Sequence, residues 1–376
     1  AFVMVVMTAI SCISFLAPSE ASAAAYDRVY STEYYYPSST TQLSYFAVAY
    51  KTKGTSQWKK AKKILTDAGY SVWDKDVNDG AGGAYIAVGY MTALNDMALT
   101  VRDVRLYLGS NPPDTYTYNG CIYEKVGSAN TTASCPGKLC DGAVNLNHRA
   151  GGKELYIYIT RDPKAGPPIT SGDINTDSSK SGWTTTCYLN QDQTSAADFN
   201  KDAGGDYIYY HYFSSITSTV NSLPLRESMR EAASYIANAS RYVSVTNLQN
   251  ALKAAEAVTA TLDKYGLSYK DQSEINQLKT NIDNALNALQ TKVYFNANGG
   301  SLGGIASSYN ITIGKNTSYN FDVSDKIPTR AGYIFKGWST SQNASSGSTA
   351  SVSVGFNTTL YAVWEKKTLD INFDNM

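Results

Sequence analysis

Apolar and polar positions alternate in short runs over residues 26–217, switch to a helical period, and then return to alternation. Ser44-Tyr45-Phe46-Ala47-Val48-Ala49-Tyr50, Tyr85-Ile86-Ala87-Val88-Gly89-Tyr90 and similar Tyr- and Ile-rich runs predict strands. From Leu225 the spacing changes. Leu225, Met229, Ala232 and Ile236 mark one helical stripe, Leu248, Leu252, Ala255 and Leu262 a second, and Ile275, Leu278, Ile282, Leu286 and Leu289 a third. Thr246 and Asp271 are the expected N-caps, and Asp271 with Glu274 has capping-box spacing. Between Lys59 and Ala68 the apolar Ala61, Ile64, Leu65 and Ala68 share a helical face, but the segment is basic and is read as a short solvated helix or turn. Strand alternation resumes at Val293 and runs to Trp364.

One stretch organises the first part. Asp76-Val77-Asn78-Asp79-Gly80-Ala81-Gly82-Gly83-Ala84-Tyr85-Ile86 returns as Asn145-Leu146-Asn147 to Ile157 and as Asp198-Phe199-Asn200 to Ile208, the middle copy running longer before its strand. Asp or Asn, then Gly-Gly, is turn chemistry: side-chain oxygens cap backbone N–H groups, and glycines accept positive φ. Each copy is therefore a turn followed by a strand. A second motif recurs in the same order, Leu99-Thr100-Val101-Arg102-Asp103-Val104 and Ile169-Thr170-Ser171-Gly172-Asp173-Ile174, so the repeating unit is a small antiparallel sheet. Overlaying the copies puts Ile86, Ile157 and Ile208 on an interior face and Tyr85, Tyr156 and Tyr207 on the outer one. Three sheets that each have one apolar face can bury it together around a common axis.

These repeats resemble the β-prism family known from the MVB12-associated β-prism domain, over residues 26–217. Residues 225–291 resemble the FIVAR-type three-helix modules of bacterial surface proteins, with a plain helical spacer as the alternative. The closing segments are more specific: Val293-Tyr294-Phe295-Asn296-Ala297-Asn298-Gly299-Gly300, Pro328-Thr329-Arg330-Ala331-Gly332-Tyr333-Ile334-Phe335-Lys336-Gly337-Trp338 and Thr359-Leu360-Tyr361-Ala362-Val363-Trp364. In that order they resemble the internalin-type B-repeat, or Listeria-Bacteroides repeat, over residues 292–365, which implies a small β-grasp (ubiquitin-like) domain. The expected fold is thus multidomain: an all-β prism with threefold internal repeat, a three-helix bundle, then a β-grasp, with a further module beginning within 368–376.

Composition changes this picture at the ends and in the charge. Residues 1–16 are almost wholly apolar and Ala21-Ser22-Ala23 suits a signal peptidase, so 1–23 reads as a signal peptide, N-terminally truncated because neither Met nor a basic run precedes it. Apolar residues continue past Cys12, which disfavours a lipid anchor there. Lys+Arg and Asp+Glu balance at 32 each, so no global field favours nucleic acid or an anionic membrane. After the signal, Cys121, Cys135, Cys140 and Cys187 remain, an even number that in an exported chain favours two disulfides in any of three pairings. Zinc is disfavoured, since there is no C-x-x-C and the only histidines, His148 and His211, fall on the repeats.

No H-E-x-x-H or P-loop occurs, so the chain is read as non-catalytic with no cofactor. Asp76, Asn78, Asn145, Asn147, Asp198 and Asn200 carry oxygens of the kind calcium takes, but the loops lack an EF-hand's ligand density, and capping the turn is the stronger reading. The outward tyrosines Tyr85, Tyr156, Tyr158, Tyr207 and Tyr209 are the candidate ligand surface, because tyrosine offers an apolar face and a wet hydroxyl. Cross-strand pairing is their competing structural use. The expectation is a secreted or cell-envelope bacterial protein acting in adhesion, binding a glycan or a host or cell-surface protein, without nucleic acid or membrane as partner. The alternative is a substrate-targeting region of a larger secreted hydrolase.

Overall fold

Residues 26, 30, 32–129 and 142–368 are described by a computed structural model. They fall in two compact units, Val29–Ser222 with Val258–Glu274, and Leu223–Ala257 with residues 275–368. Residues 1–23, expected to be a signal peptide, Cys135, Cys140 and nearly all of 368–376 lie outside the described residues.

The first unit contains β1 (Glu33–Tyr35), β2 (Thr41–Thr52), α1 (Gln57–Asp67), β3 (Ser71–Val72), β4 (Ala84–Leu94), β5 (Asp103–Leu108), β6 (Thr115–Tyr118) and β7 (Cys121–Lys125). It continues through β8 (Leu155–Thr160), β9 (Ser171–Asn175), β10 (Thr184–Thr185), β11 (Tyr209–Phe213) and β12 (Thr219–Val220). Three sheets form, in the orders β2-β4-β3, β5-β8-β7-β6 and β10-β11-β9. Each holds the strand of one repeat copy: β4, β8 or β11. All three turn an apolar face into one shared core that includes Val48, Ile86, Leu106, Leu155, Ile157, Ile174 and Ile208. The expected interior residues Ile86, Ile157 and Ile208 are all in it.

Hydrogen bonds close the three sheets into a ring at both ends. At one end Leu43 donates its N–H to Ile169, Ile169 to Val101 and Val101 to Leu43, at 2.9, 2.8 and 3.0 Å. At the other, Ala84 donates to the carbonyl of His148, Lys153 to Lys201 and Asp206 to Asp79, at 3.0, 3.1 and 3.2 Å. In each of these the ninth residue of one turn donates to the fourth residue of the next copy. The three copies are thus chemically equivalent neighbours.

This equivalence corrects the expected alignment. Ile86, Leu155 and Ile208 occupy the same position, since each donates its N–H to the first Asp or Asn of its turn. The middle copy therefore has no insertion; its Lys153-Glu154 replaces the small-or-acidic residue and Tyr that precede the strand elsewhere. In the second motif, likewise, the equivalent of Ile169 is Val101, two residues beyond the Leu99 that the sequence overlay pairs with it.

A short sheet β12-β1-β13 includes β13 (Leu267–Ser268). The helical stripes fold as α2 (Leu223–Ile236), α3 (Thr246–Tyr265) and α4 (Gln272–Asn287). The capping box before α4 forms in both directions: Glu274 N–H reaches Asp271 Oδ1 at 2.9 Å, and Asp271 N–H reaches Glu274 Oε2 at 3.1 Å. At α3, Thr246 is the first helical residue rather than the cap, and the hydroxyl of Ser244 accepts its N–H at 3.2 Å. The second unit ends with β14 (Gln290–Asn296), β15 (Ser308–Thr312), β16 (Tyr319–Asp322), β17 (Tyr333–Ser339), β18 (Ser351–Val354) and β19 (Thr358–Lys366). Its sheet runs β15-β14-β19-β17, with β14 and β19 central and parallel, and β16 pairs with β18. Trp338 is the largest side chain of this core, packed edge-on to Phe295 at 4.6 Å with its Nε1–H on the carbonyl of Lys326.

Candidate functional site

The outer faces of the three repeat sheets carry the candidate residues, and they are not alike. On the first, strand positions that point outward are small: Ala47, Ala49, Ala87 and Gly89. A Cβ on Gly89 would lie 3.1 Å from Leu65 Cδ2 of α1, so these small residues make room for the helix. Helix α1 buries Ala61 and Leu65 there; the basic segment is amphipathic and packed, not merely solvated. Tyr85 lies at the edge of this contact, 6.2 Å from the Trp58 ring and under the Lys53 ammonium at 4.2 Å.

On the second face the tyrosines are core. Tyr158 is 0% exposed and Tyr156 9%, in a cluster with Cys121, Tyr123 and Leu189. The Tyr158 ring lies tilted against Tyr107 at 5.6 Å, and its hydroxyl donates to the carbonyl of Pro113. Burial pushes the Tyr156 phenol up to about 12, with Glu154 adding to the shift. Neither ring is available as a binding surface, because the sheet's own hairpin strands and the following loops cover them.

The third face is the open one. Tyr207 is 68% exposed, Tyr209 is half-buried, and Phe213 is exposed two residues beyond His211 on the same side of β11. Trp183 packs on Phe213 at 5.7 Å, and Lys180 lies over the Trp183 ring at 3.7 Å. Burial raises the Tyr209 phenol. His211, between them, is fully buried: its Nε2 lies 2.9 Å from the carbonyl of Asp177 and its Nδ1 2.9 Å from Thr185 Oγ1. That pattern requires the Nε2–H tautomer, with the Thr185 hydroxyl donating to Nδ1, and burial lowers the imidazole's affinity for a second proton. Of the five candidate tyrosines, this face brings together Tyr207 and Tyr209. Phe213 was findable from strand parity; Trp183, on a loop, carried no sequence signal.

The repeat turns use their oxygens internally. Asp76 Oδ1 accepts the N–H groups of Asn78 and Ile86 at 3.1 and 2.8 Å. Asn145 Oδ1 does the same for Asn147 and Leu155, both at 3.0 Å, and Asp198 Oδ1 for Asn200 and Ile208 at 2.9 and 3.0 Å. An amide in the middle copy thus does the work of a carboxylate in the others. The two carboxylates differ in their compensation: Asp76 Oδ2 meets Lys53 Nζ at 2.8 Å, whereas burial holds the Asp198 carboxyl above its ordinary range. The two glycines of each turn meet different constraints, except that Gly205, with φ of 90°, meets both. Gly82, Gly151 and Gly204 have φ of 77°, 82° and 72° and open space around them. A Cβ on Gly83, Gly152 or Gly205 would instead sit 2.6, 2.6 or 2.4 Å from backbone atoms of the next copy.

A buried polar network ties the sheets at Asp103. Its carboxylate accepts from Val104 N–H and Arg105 Nε at 2.8 Å, from Tyr123 Oη at 2.6 Å and from the hydroxyl of Tyr212. The expected disulfides are not formed among the described residues: Cys121 and Cys187 are both free thiols, raised by burial, and Cys135 and Cys140 lie outside the described residues. Among the described residues no group of three His, Cys, Asp or Glu is placed to hold a metal ion, and no helix is long and apolar enough to cross a membrane.

Residues 292–363 match the family model of the Listeria-Bacteroides repeat domain. This repeat is typical of bacterial surface proteins, and the match spans the β14–β19 part of the second unit. No curated protein matches the chain.

Proposed function

We propose that the chain is a secreted or cell-envelope bacterial surface protein that acts in adhesion, binding a glycan or a host or cell-surface protein without catalysis. In this reading the first unit is a three-sided β-prism, the helices are a spacer module, and residues 292–365 form a β-grasp. The Listeria-Bacteroides repeat supports the surface assignment, and the Ala1 to Ala23 signal pattern agrees with it. The observation that carries the binding reading is the asymmetry of the faces: helix and hairpin cover two of them, while the third leaves Tyr207, Tyr209, Phe213 and Trp183 at the surface. Flat rings with polar edges suit stacking on a sugar or packing on a protein. Glycan and host-protein arrays probed with the whole chain test it. A ligand whose binding is lost in Tyr207→Ala/Tyr209→Ala, with the melting midpoint unchanged, supports the reading; a ligand bound equally by the variant places the binding surface elsewhere.

A further inference from the structure

Each repeat has an asparagine at its third position, and the two ends of its amide are treated differently. Asn78 Nδ2 donates to the carbonyl of Ala84 at 2.9 Å. Asn147 Nδ2 donates to Lys153 at 2.6 Å and, across the joint, to Lys201 of the next copy at 2.9 Å. Asn200 Nδ2 reaches Asp206 and Gly204 at 2.9 Å and Asp79 of the next copy at 3.2 Å. These acceptors are all carbonyls, so they fix which end of each amide is the nitrogen; a flipped amide would set oxygen against oxygen.

The oxygens at the other end have no protein donor. Oδ1 of Asn78, Asn147 and Asn200 is in every case shielded from solvent and unpaired, on residues only 0, 2 and 3% exposed. One such atom would be an isolated defect. The same atom in three equivalent places belongs to the ring itself, because buried acceptors are normally satisfied. A Cβ on Gly83 would come within 2.7 Å of Asn78 Nδ2, so this glycine leaves room for the amide itself.

We propose that Asn78, Asn147 and Asn200 form an internal site, on the axis of the turn ring, for one small electropositive guest: a monovalent cation or a water that donates to the amide oxygens. Three neutral oxygens suit low charge density. A divalent ion would call on carboxylates, and those of Asp76 and Asp198 point Oδ1 at backbone N–H groups instead. The site is separate from the aromatic third face and does not depend on what that face binds.

Crystals of the whole chain grown in rubidium chloride, measured at the rubidium absorption edge, test the proposal directly. An anomalous peak within coordination distance of the three Oδ1 atoms identifies the cation; density without anomalous signal, within hydrogen-bond distance of at least two of them, identifies water. Either result supports the site. Oxygens that turn out to be bonded to protein donors, or to have nothing between them, overturn it. In solution, melting midpoints in potassium, rubidium and choline chloride at equal ionic strength separate the guests: a cation gives a saturable rise absent in choline. A water gives equal midpoints and one long-lived molecule in magnetic relaxation dispersion. Neither a specific rise nor a long-lived water is the contrary outcome.

Discussion

At the scale of single residues, the repeat turn runs on a side-chain oxygen at its first position, and the chain offers its own comparison of charged and neutral versions. Asn145 caps its turn as well as Asp198 does, by the same two N–H groups. Burial raises the Asp198 carboxyl, so the folded state favours the protonated acid, and the stability this group contributes is lost as pH rises through its folded value. Asp198→Asn keeps the acceptor and removes the buried charge. It is expected to melt higher than wild type at pH 7, the gain shrinking to nothing as pH falls below the ordinary aspartate range; pH-resolved thermal unfolding checks this. A second contrast lies between adjacent glycines. Gly151→Ala strains a left-handed residue in open space, at about 1–2 kcal/mol. Gly152→Ala drives a Cβ into the backbone of Ala203 and Lys201 and should cost more, about 2–3 kcal/mol, by denaturant unfolding. The turn chemistry was legible in the sequence, because Asp/Asn and Gly-Gly have local uses. Which glycine serves φ and which serves close approach was not, since that depends on the neighbouring copy.

At the scale of elements, alternation located the repeat strands and their interior faces, and the capping box located the start of α4. The middle strand was misaligned because Lys153-Glu154 stands where Ala84-Tyr85 stands in the first copy, and the Tyr-Ile pair two residues later mimics the missing one. Strand parity also could not say what covers an outward tyrosine. Tyr158 is sealed under its own sheet's connections, while Tyr209 lies on the open face. Tyr158→Ala is accordingly expected to cost about 3–5 kcal/mol, as for a large aromatic removed from a core, and Tyr209→Ala far less; chemical denaturation of the two variants gives the comparison. The packing of the α1 helix was hidden for a related reason. Its lysines argue for solvent, but the Ala and Gly positions that seat Leu65 belong to other elements, the strands on either side of it in the chain.

At the scale of the whole molecule, two compact units are built on different logic. The second holds a small sheet around Trp338, recognisable from three linear segments because each carries its own large aromatics. In the first, three sheets share one core and are closed by two rings of backbone hydrogen bonds. The number of copies was readable; the closure was not, because each ring bond joins residues far apart in the chain. The claim on which the rest stands is that the three copies act as one closed unit, and amide hydrogen exchange of wild type followed by NMR tests it most directly. The amides of Leu43, Val101 and Ile169 at one end, and of Ala84, Lys153 and Asp206 at the other, should be protected and should open with one common free energy, falling together in Gly152→Ala. Exchange at loop-like rates, or copies that lose protection one at a time, would contradict the closed ring.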